Sequence, residues 1–77
     1  MDSTKAKALS DAIFGFGVMV DEQLGISNPR VVDIGYLLNS IGGYDAMLSV
    51  AKLVQAKDPV TARELEFAWN GIGTWQA

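Results

Sequence analysis

Residues 44–57 read YDAMLSVAKLVQAK, a pattern that predicts an α-helix with apolar side chains around most of its circumference. On a helical projection, the first four polar residues form a narrow strip: Asp45, Ser49, Lys52 and Gln55. Apolar residues cover the remaining surface: Met47, Leu48, Val50, Ala51, Leu53 and Val54. A helix of this kind has to be covered on more than one side. In a chain of only 77 residues, we expect another chain to supply part of that cover.

An amphipathic helix is predicted near the start of the chain, from about Thr4 to Leu24. Its apolar residues recur at steps of three and four, as on one helical face: Leu9, Ile13, Phe16, Val20 and Leu24. Beside this face lies a line of mainly small residues, where another backbone can come close: Ala8, Ala12, Gly15 and Met19. Glycine in a helix interior costs about 1 kcal/mol relative to alanine. Gly15 and Gly17 therefore indicate either a bend or a tight helix crossing.

The next helix is predicted to begin shortly after Gly25. Ser27 or Asn28 can cap it, and Pro29 suits its first turn because the missing N–H has no helical partner there. Its apolar face consists of Val31, Ile34, Leu38 and Ile41. Gly42-Gly43 is expected to end this helix before the segment at residues 44–57 begins.

The last helix has two predicted starting points. It begins at Asp58-Pro59 or at Thr61, which forms a capping-box pattern with Glu64. Asn70-Gly71 is expected to end it. Trp75, in the tail, either folds back over the core or serves as an exposed anchor. Exposed tryptophan is uncommon in monomers, which favours the fold-back.

Together the four segments predict an all-α fold, a small four-helix bundle with short connections, in which residues 1–77 form a single domain. A domain of this size buries only about 60 to 65% of the surface of its unfolded chain, so its core is marginal. The chain has no cysteine and no histidine, which excludes disulfides and the commonest metal ligands. Its apolar content is 49%, and association with another copy or another protein is the remaining way to add stability.

Catalysis has little support in the sequence. The usual pairs of nucleophile and base require histidine or cysteine. The carboxylates of Asp21-Glu22 point in different directions on a helix, as do those of Glu64 and Glu66. Gly42-Gly43 is typical of a helix end and lacks the pattern of a phosphate-binding loop. We therefore expect no enzyme activity, no cofactor and no metal.

The charge of the chain restricts its partners. A net charge of −3 argues against broad contact with nucleic acids or anionic membranes, and it favours a protein partner with a basic surface. The uncharged stretch 12–20 is much shorter than the roughly 20 residues that span a bilayer. No signal-peptide core follows Lys5 and Lys7, so a cytoplasmic location is expected.

A helix-turn-helix DNA-binding regulator is the alternative from another functional class. Four residues of the segment 25–34 match the apolar and glycine spacing of that motif: Gly25, Ile26, Val31 and Ile34. Asp21, however, stands where the motif has a small residue packed between its helices. Arg30 is the sole cation of the expected recognition helix, which also carries Asp33, so phosphate contacts are poorly supported.

The favoured hypothesis is a non-enzymatic protein–protein interaction module that self-associates as a two-fold homodimer, in the manner of a small acidic adaptor or inhibitor of a larger protein. The candidate interface combines the small-residue line, the apolar segment, the tail tryptophan and two residues on the polar side of the second helix. These residues are Ala8, Ala12, Gly15, Met19, Tyr36, Leu37, Met47, Val50, Val54 and Trp75. A third hypothesis is a carrier of a small apolar ligand, with Met19 and Met47 lining its pocket.

Overall fold

The computed structural model describes residues 2–76, and its regular elements are three helices: α1 spans Ser3–Phe16, α2 spans Pro29–Lys57 and α3 spans Pro59–Trp69. The predicted all-α class is confirmed. The four-helix bundle is not confirmed, because the second and third predicted helices form one span, α2.

Gly43 interrupts the helical backbone of α2 with a kink, at the place where the second predicted helix was expected to end. Its backbone, with φ 64° and ψ −152°, lies outside the helical region, while the residues on either side remain helical. Glycine adopts a positive φ without the steric cost that a Cβ atom would impose. The helix axis therefore changes direction at this residue, and the chain continues without a loop.

The central element is α2, because α1 and α3 each pack against it. One cluster of buried residues joins all three helices. Its largest fully buried side chains are Trp69, Ile13, Leu38, Met47, Leu65, Val31, Val50 and Val54. Three apolar residues of the segment 44–57, Met47, Val50 and Val54, are fully buried by their own chain and need no cover from another, whereas Leu53 of the same segment is exposed. The predicted polar strip is exposed: Asp45, Ser49, Lys52 and Gln55.

The crossing of α2 and α3 is built around Gly35 and Trp69. Trp69 is fully buried, and its indole Nε1 donates a hydrogen bond to the carbonyl oxygen of Val31 at 2.9 Å. A Cβ atom on Gly35 would lie only 2.6 Å from the indole ring. At Gly15, where a helix crossing was one of two expectations, a Cβ atom would have no other atom within 4 Å, apart from its helix and chain neighbours. The tight contact between helices therefore occurs at Gly35, where the Trp69 side chain packs directly against the α2 backbone.

The first helix ends earlier than predicted. Gly17 follows Phe16 with φ 77°, and its N–H donates a hydrogen bond to the carbonyl oxygen of Ile13 at 2.9 Å. A glycine with positive φ is a common way to end a helix. The predicted extension to Leu24 is wrong, because helical apolar spacing continues in the sequence beyond the point where the backbone leaves the helix.

Residues 17–28, called the hairpin loop below, connect α1 to α2. Asp21 and Ile26 exchange two backbone hydrogen bonds of 2.9 and 3.1 Å, and the N–H of Asn28 donates to the carbonyl oxygen of Val18 at 2.8 Å. The Asp21 carboxylate also accepts hydrogen bonds from the backbone N–H groups of Gln23 and Leu24. These bonds hold the loop as a narrow antiparallel turn.

The N-terminal cap of α3 is Asp58, which is the first of the two predicted starting points. Its carboxylate accepts a hydrogen bond from the N–H of Val60 at 3.1 Å and another from the hydroxyl of Thr61 at 2.8 Å. These two bonds, that of Thr61 above all, hold the pKa of the Asp58 carboxyl below its ordinary value of 3.8. Asp58 also separates α3 from the last residue of α2, so the connection is a single residue.

The tail folds back over the core, as predicted for Trp75. This side chain is only 4% exposed, and its Nε1 donates a hydrogen bond to the carbonyl oxygen of Glu66 at 3.2 Å. Its ring meets the ring of Trp69 edge-on, with centroids 5.4 Å apart, and lies at the same distance from the ring of Tyr44. The two tryptophans thus belong to one packed group.

Candidate functional site

Large apolar side chains are exposed mainly in two places. One group lies in or beside the hairpin loop, and it contains Phe16, Met19, Leu24 and Ile26. The other group lies on α2 before and just after its bend, and it contains Tyr36, Leu37, Ile41 and Tyr44. The most exposed members are Met19 at 73% and Leu24 at 70%. Contiguous exposed apolar side chains mark contact surfaces more often than scattered ones do.

Asn28 fixes the hairpin loop relative to both neighbouring helices. Its side-chain Nδ2 donates hydrogen bonds to the carbonyl oxygens of Phe16 and Gly17, at 3.1 and 2.9 Å. Its Oδ1 accepts a hydrogen bond from the N–H of Arg30 at 3.0 Å. One side chain therefore satisfies free carbonyls at the end of α1 and a free N–H at the start of α2. The backbone that carries the exposed residues of the loop is consequently held in place by these hydrogen bonds.

The outward side of α2, called the outer face below, consists of exposed residues that neighbour each other at helical steps of three and four. They are Arg30, Asp33, Tyr36, Leu37, Ser40 and Ile41. The guanidinium carbon of Arg30 lies 5.5 Å from the centroid of the Phe16 ring, which is a cation–π contact. Phe16 therefore borders the outer face and connects it to the hairpin loop.

Two open pockets lie along α1 and α2. The smaller one, of about 240 Å³, is lined by residues that include Lys5, Ile41 and Asp45. The larger one, of about 600 Å³, includes Lys7 and Leu53 in its lining. Neither is lined by a methionine, and within residues 2–76 no three side chains of the metal-binding types come together.

The hypothesis of an apolar-ligand carrier placed two methionines in one pocket. Met47 is fully buried in the core, and Met19 is exposed on the hairpin loop. The structure does not bring them together, because the first lies on α2 and faces the other helices, whereas the second lies beyond the end of α1. The proposed pocket between them is therefore not formed.

Four residues of the predicted interface lie inside the chain. Met47, Val50 and Val54 are fully buried, and Trp75 is nearly so. They offer no surface to a partner, because α1, α3 and the folded-back tail already cover them. The apolar character of residues 44–57 is explained by the two helices that pack on α2.

The other six predicted interface residues lie at or near the surface. Ala8, Gly15, Met19, Tyr36 and Leu37 are exposed, and Ala12 is half-buried against the core. The structure brings Tyr36 and Leu37 together on the outer face, and it places Met19 on the hairpin loop. Ala8 and Gly15 lie on α1, outside both groups of large apolar side chains.

The sequence interpretation missed several exposed residues of these groups. Ile41 was assigned to the buried face of its helix, yet it lies one turn after Leu37 on the outer face. That spacing of four was the signal that could have placed it there. Leu24 was assigned to the core side of a helix, and no local signal identifies it as part of a hairpin loop.

The helix-turn-helix motif is not formed. Such a motif joins its two helices by a turn of about three or four residues. Here residues 17–28 separate α1 from α2, and Asp21, expected in the first helix of the motif, lies in the hairpin loop. Of the matching residues, Gly25 and Ile26 lie in the hairpin loop and Val31 and Ile34 lie on α2, so the two helices of the motif are not present in the required arrangement.

Comparisons with protein-family models, with curated proteins and with solved structures find no match for this chain. Within residues 2–76, no helix has both the length and the apolar character needed to cross a membrane.

Proposed function

We propose that this protein is a non-enzymatic protein–protein interaction module that associates with a second copy of itself through the outer face of α2. The observation that carries the proposal is the exposure of three large apolar side chains on that face: Tyr36 at 58%, Leu37 at 49% and Ile41 at 54%. They neighbour one another on one helix, so a single surface of a partner can cover all three at once.

The free energy gained by burying these apolar side chains sets the expected affinity. Burying the exposed half of one such side chain contributes about 1 kcal/mol, so three on each of two copies contribute about 6 kcal/mol. Association itself costs about 4 kcal/mol or more in lost freedom of motion. The outer face alone therefore supports only a weak dimer. Micromolar affinity requires further apolar contact, and the hairpin loop, joined to this face through Phe16, has the side chains to supply it.

Sedimentation equilibrium between about 1 and 300 μM tests this proposal, because dimers of micromolar affinity form within that range. The wild-type chain is expected to approach twice its mass of 8.3 kDa as concentration rises. Leu37→Asp places a charge at the centre of the outer face and is expected to weaken association at least about 10-fold.

Leu53→Asp is the matched control, because Leu53 is also an exposed leucine of α2 but lies outside the outer face. It is expected to associate as the wild type does. A wild-type chain that remains at 8.3 kDa over the whole range contradicts the proposal. Equal weakening by Leu37→Asp and Leu53→Asp contradicts the choice of surface.

A further inference from the structure

The outer face carries one cation and one anion close to its beginning. Arg30 and Asp33 are three residues apart, which is about 4.5 Å along the axis of α2, and both are exposed. Arg30 is kept near the face by its contact with the ring of Phe16. A face with one charge of each sign at this spacing is complementary to itself when two copies run in opposite directions.

We infer that two copies of the chain pair about a two-fold axis that passes between Arg30 and Asp33, so that Arg30 of each copy meets the partner's Asp33. This inference rests on the proposed self-association and specifies its geometry. In a two-fold interface, if residue i contacts the partner's residue j, then j also contacts the partner's i. The two ion pairs are therefore identical, and each copy supplies one charge to each pair.

The opposite arrangement, with parallel helices in register, places like charges together. In it Arg30 faces the partner's Arg30, and Asp33 faces the partner's Asp33. Juxtaposed like charges are unfavourable in an interface, and they exclude incorrect orientations. Opposite charges at these two positions thus favour the antiparallel pairing over the parallel one.

This axis also brings the two apolar groups into contact. Leu37 lies about 8 Å from the midpoint between Arg30 and Asp33, measured along α2. In an antiparallel pair, the same distance on the partner's helix leads back beyond Pro29, where α2 begins, into the hairpin loop. Leu37 of each copy then packs toward the partner's hairpin loop, where Ile26 is exposed. One interface accordingly covers the outer face and the hairpin loop together.

Charge exchange between two variants tests this geometry. Arg30→Asp leaves four anions at the axis of a homodimer, two in each pair, and Asp33→Arg leaves four cations there. Each variant alone is expected to associate about 10- to 100-fold more weakly than the wild type. When the two are mixed in equal amounts, every charge again meets its opposite, and a heterodimer of wild-type affinity is expected.

The double variant that carries both Arg30→Asp and Asp33→Arg is expected to form a homodimer again. Lys52→Asp is the control for the change in net charge, because Lys52 is an exposed cation of α2 outside the outer face, and it is expected to associate as the wild type does. Far-ultraviolet circular dichroism of each chain establishes that it is folded. The recovery of association in the mixture is itself a result that a misfolded variant cannot give.

The outcomes separate the two proposals. A wild-type chain that stays monomeric overturns both of them. A wild-type chain that dimerises while Arg30→Asp dimerises equally well overturns the two-fold geometry alone, and self-association through another arrangement stands. The geometry is also overturned if both single variants associate more weakly and neither their mixture nor the double variant recovers association. In that case the two charges affect association without forming an ion pair across the interface.

Discussion

Replacing Gly35 with alanine tests the packing where α3 crosses α2. The added methyl carbon would lie 2.6 Å from two atoms of the Trp69 indole and 2.9 Å from the terminal carbon of Ile72. Favourable contacts between carbon atoms are about 3.5 to 4.0 Å long, so the indole has to move by about 1 Å. Trp69 is fully buried and hydrogen-bonded to the carbonyl of Val31, so this movement disturbs both the core and that bond.

The expected loss of stability follows from three contributions. Forcing one extra carbon into a packed core costs about 1 to 3 kcal/mol. Weakening the hydrogen bond between the Trp69 indole and the Val31 carbonyl costs about 1 kcal/mol more. Alanine is a better helix former than glycine, and this difference offsets about 1 kcal/mol of the lost stability. We therefore expect Gly35→Ala to lower the free energy of unfolding by about 2 kcal/mol, which corresponds to a Tm lower by about 8 to 16 °C in a domain of this size.

Thermal unfolding followed by circular dichroism, with tryptophan fluorescence as a second probe, measures this change. Gly15→Ala is the control, because a methyl group there would meet no other atom within 4 Å outside its own helix and chain neighbours. That variant is expected to be stabilised by up to about 1 kcal/mol, since only helix propensity changes. A Tm for Gly35→Ala equal to or above that of the wild type would refute the tight crossing at this residue.

Two further predictions concern the caps. Asn28→Asp keeps the acceptor for the N–H at the start of α2 but loses the donor to the carbonyls of Phe16 and Gly17, so a loss of about 1 to 2 kcal/mol is expected in urea unfolding; an unchanged urea midpoint contradicts this role. The stability from Asp58 is complete above its ordinary pKa of 3.8 and is lost as pH falls through the lower folded pKa. In the variant Thr61→Val, the pKa of the Asp58 carboxyl in the folded chain should rise toward 3.8, which NMR titration of that carboxyl measures. An identical titration of Asp58 in the variant and the wild type contradicts the role of the Thr61 hydrogen bond.

The helix boundaries set by local chemistry were predictable from the sequence. Pro29 and Pro59 each occupy a first turn directly after a capping side chain, which is a signal carried by adjacent residues. The end of α3 at Asn70 is of the same kind. The buried positions Val31 and Leu38 also followed from periodicity, because a helix repeats its inward face every three or four residues.

The end of α1 and the path of the hairpin loop were not predictable in this way. Val20 and Leu24 continue the helical apolar spacing, so periodicity extends the helix beyond its true end at Phe16. What ends it is the positive φ of Gly17 together with hydrogen bonds from Asn28, eleven residues further along the chain. A contact between such distant residues leaves no periodic signal.

The candidate site was predictable in part for a related reason. An excess of apolar residues shows that more than one face needs covering, but it does not say which neighbour supplies the cover. Residues 44–57 looked the most in need of a partner chain, and α1 and α3 cover most of their apolar side, although Leu53 remains exposed. Tyr36 and Leu37 were identified correctly as exposed, because they fall outside the apolar stripe of their own helix.

The hairpin loop links stability to the proposed function. Its backbone hydrogen bonds and the side chain of Asn28 hold Leu24 and Ile26 in water, where their apolar surface contributes nothing to the fold of a single chain. Met19 in the same loop has a φ of 54°, a conformation that costs a residue with a side chain about 1 kcal/mol or more. A loop that is anchored and apolar at its surface gains favourable free energy when a partner covers it, because its apolar side chains leave water. The same anchoring lowers the entropic cost of binding, because the loop is already ordered before the partner arrives.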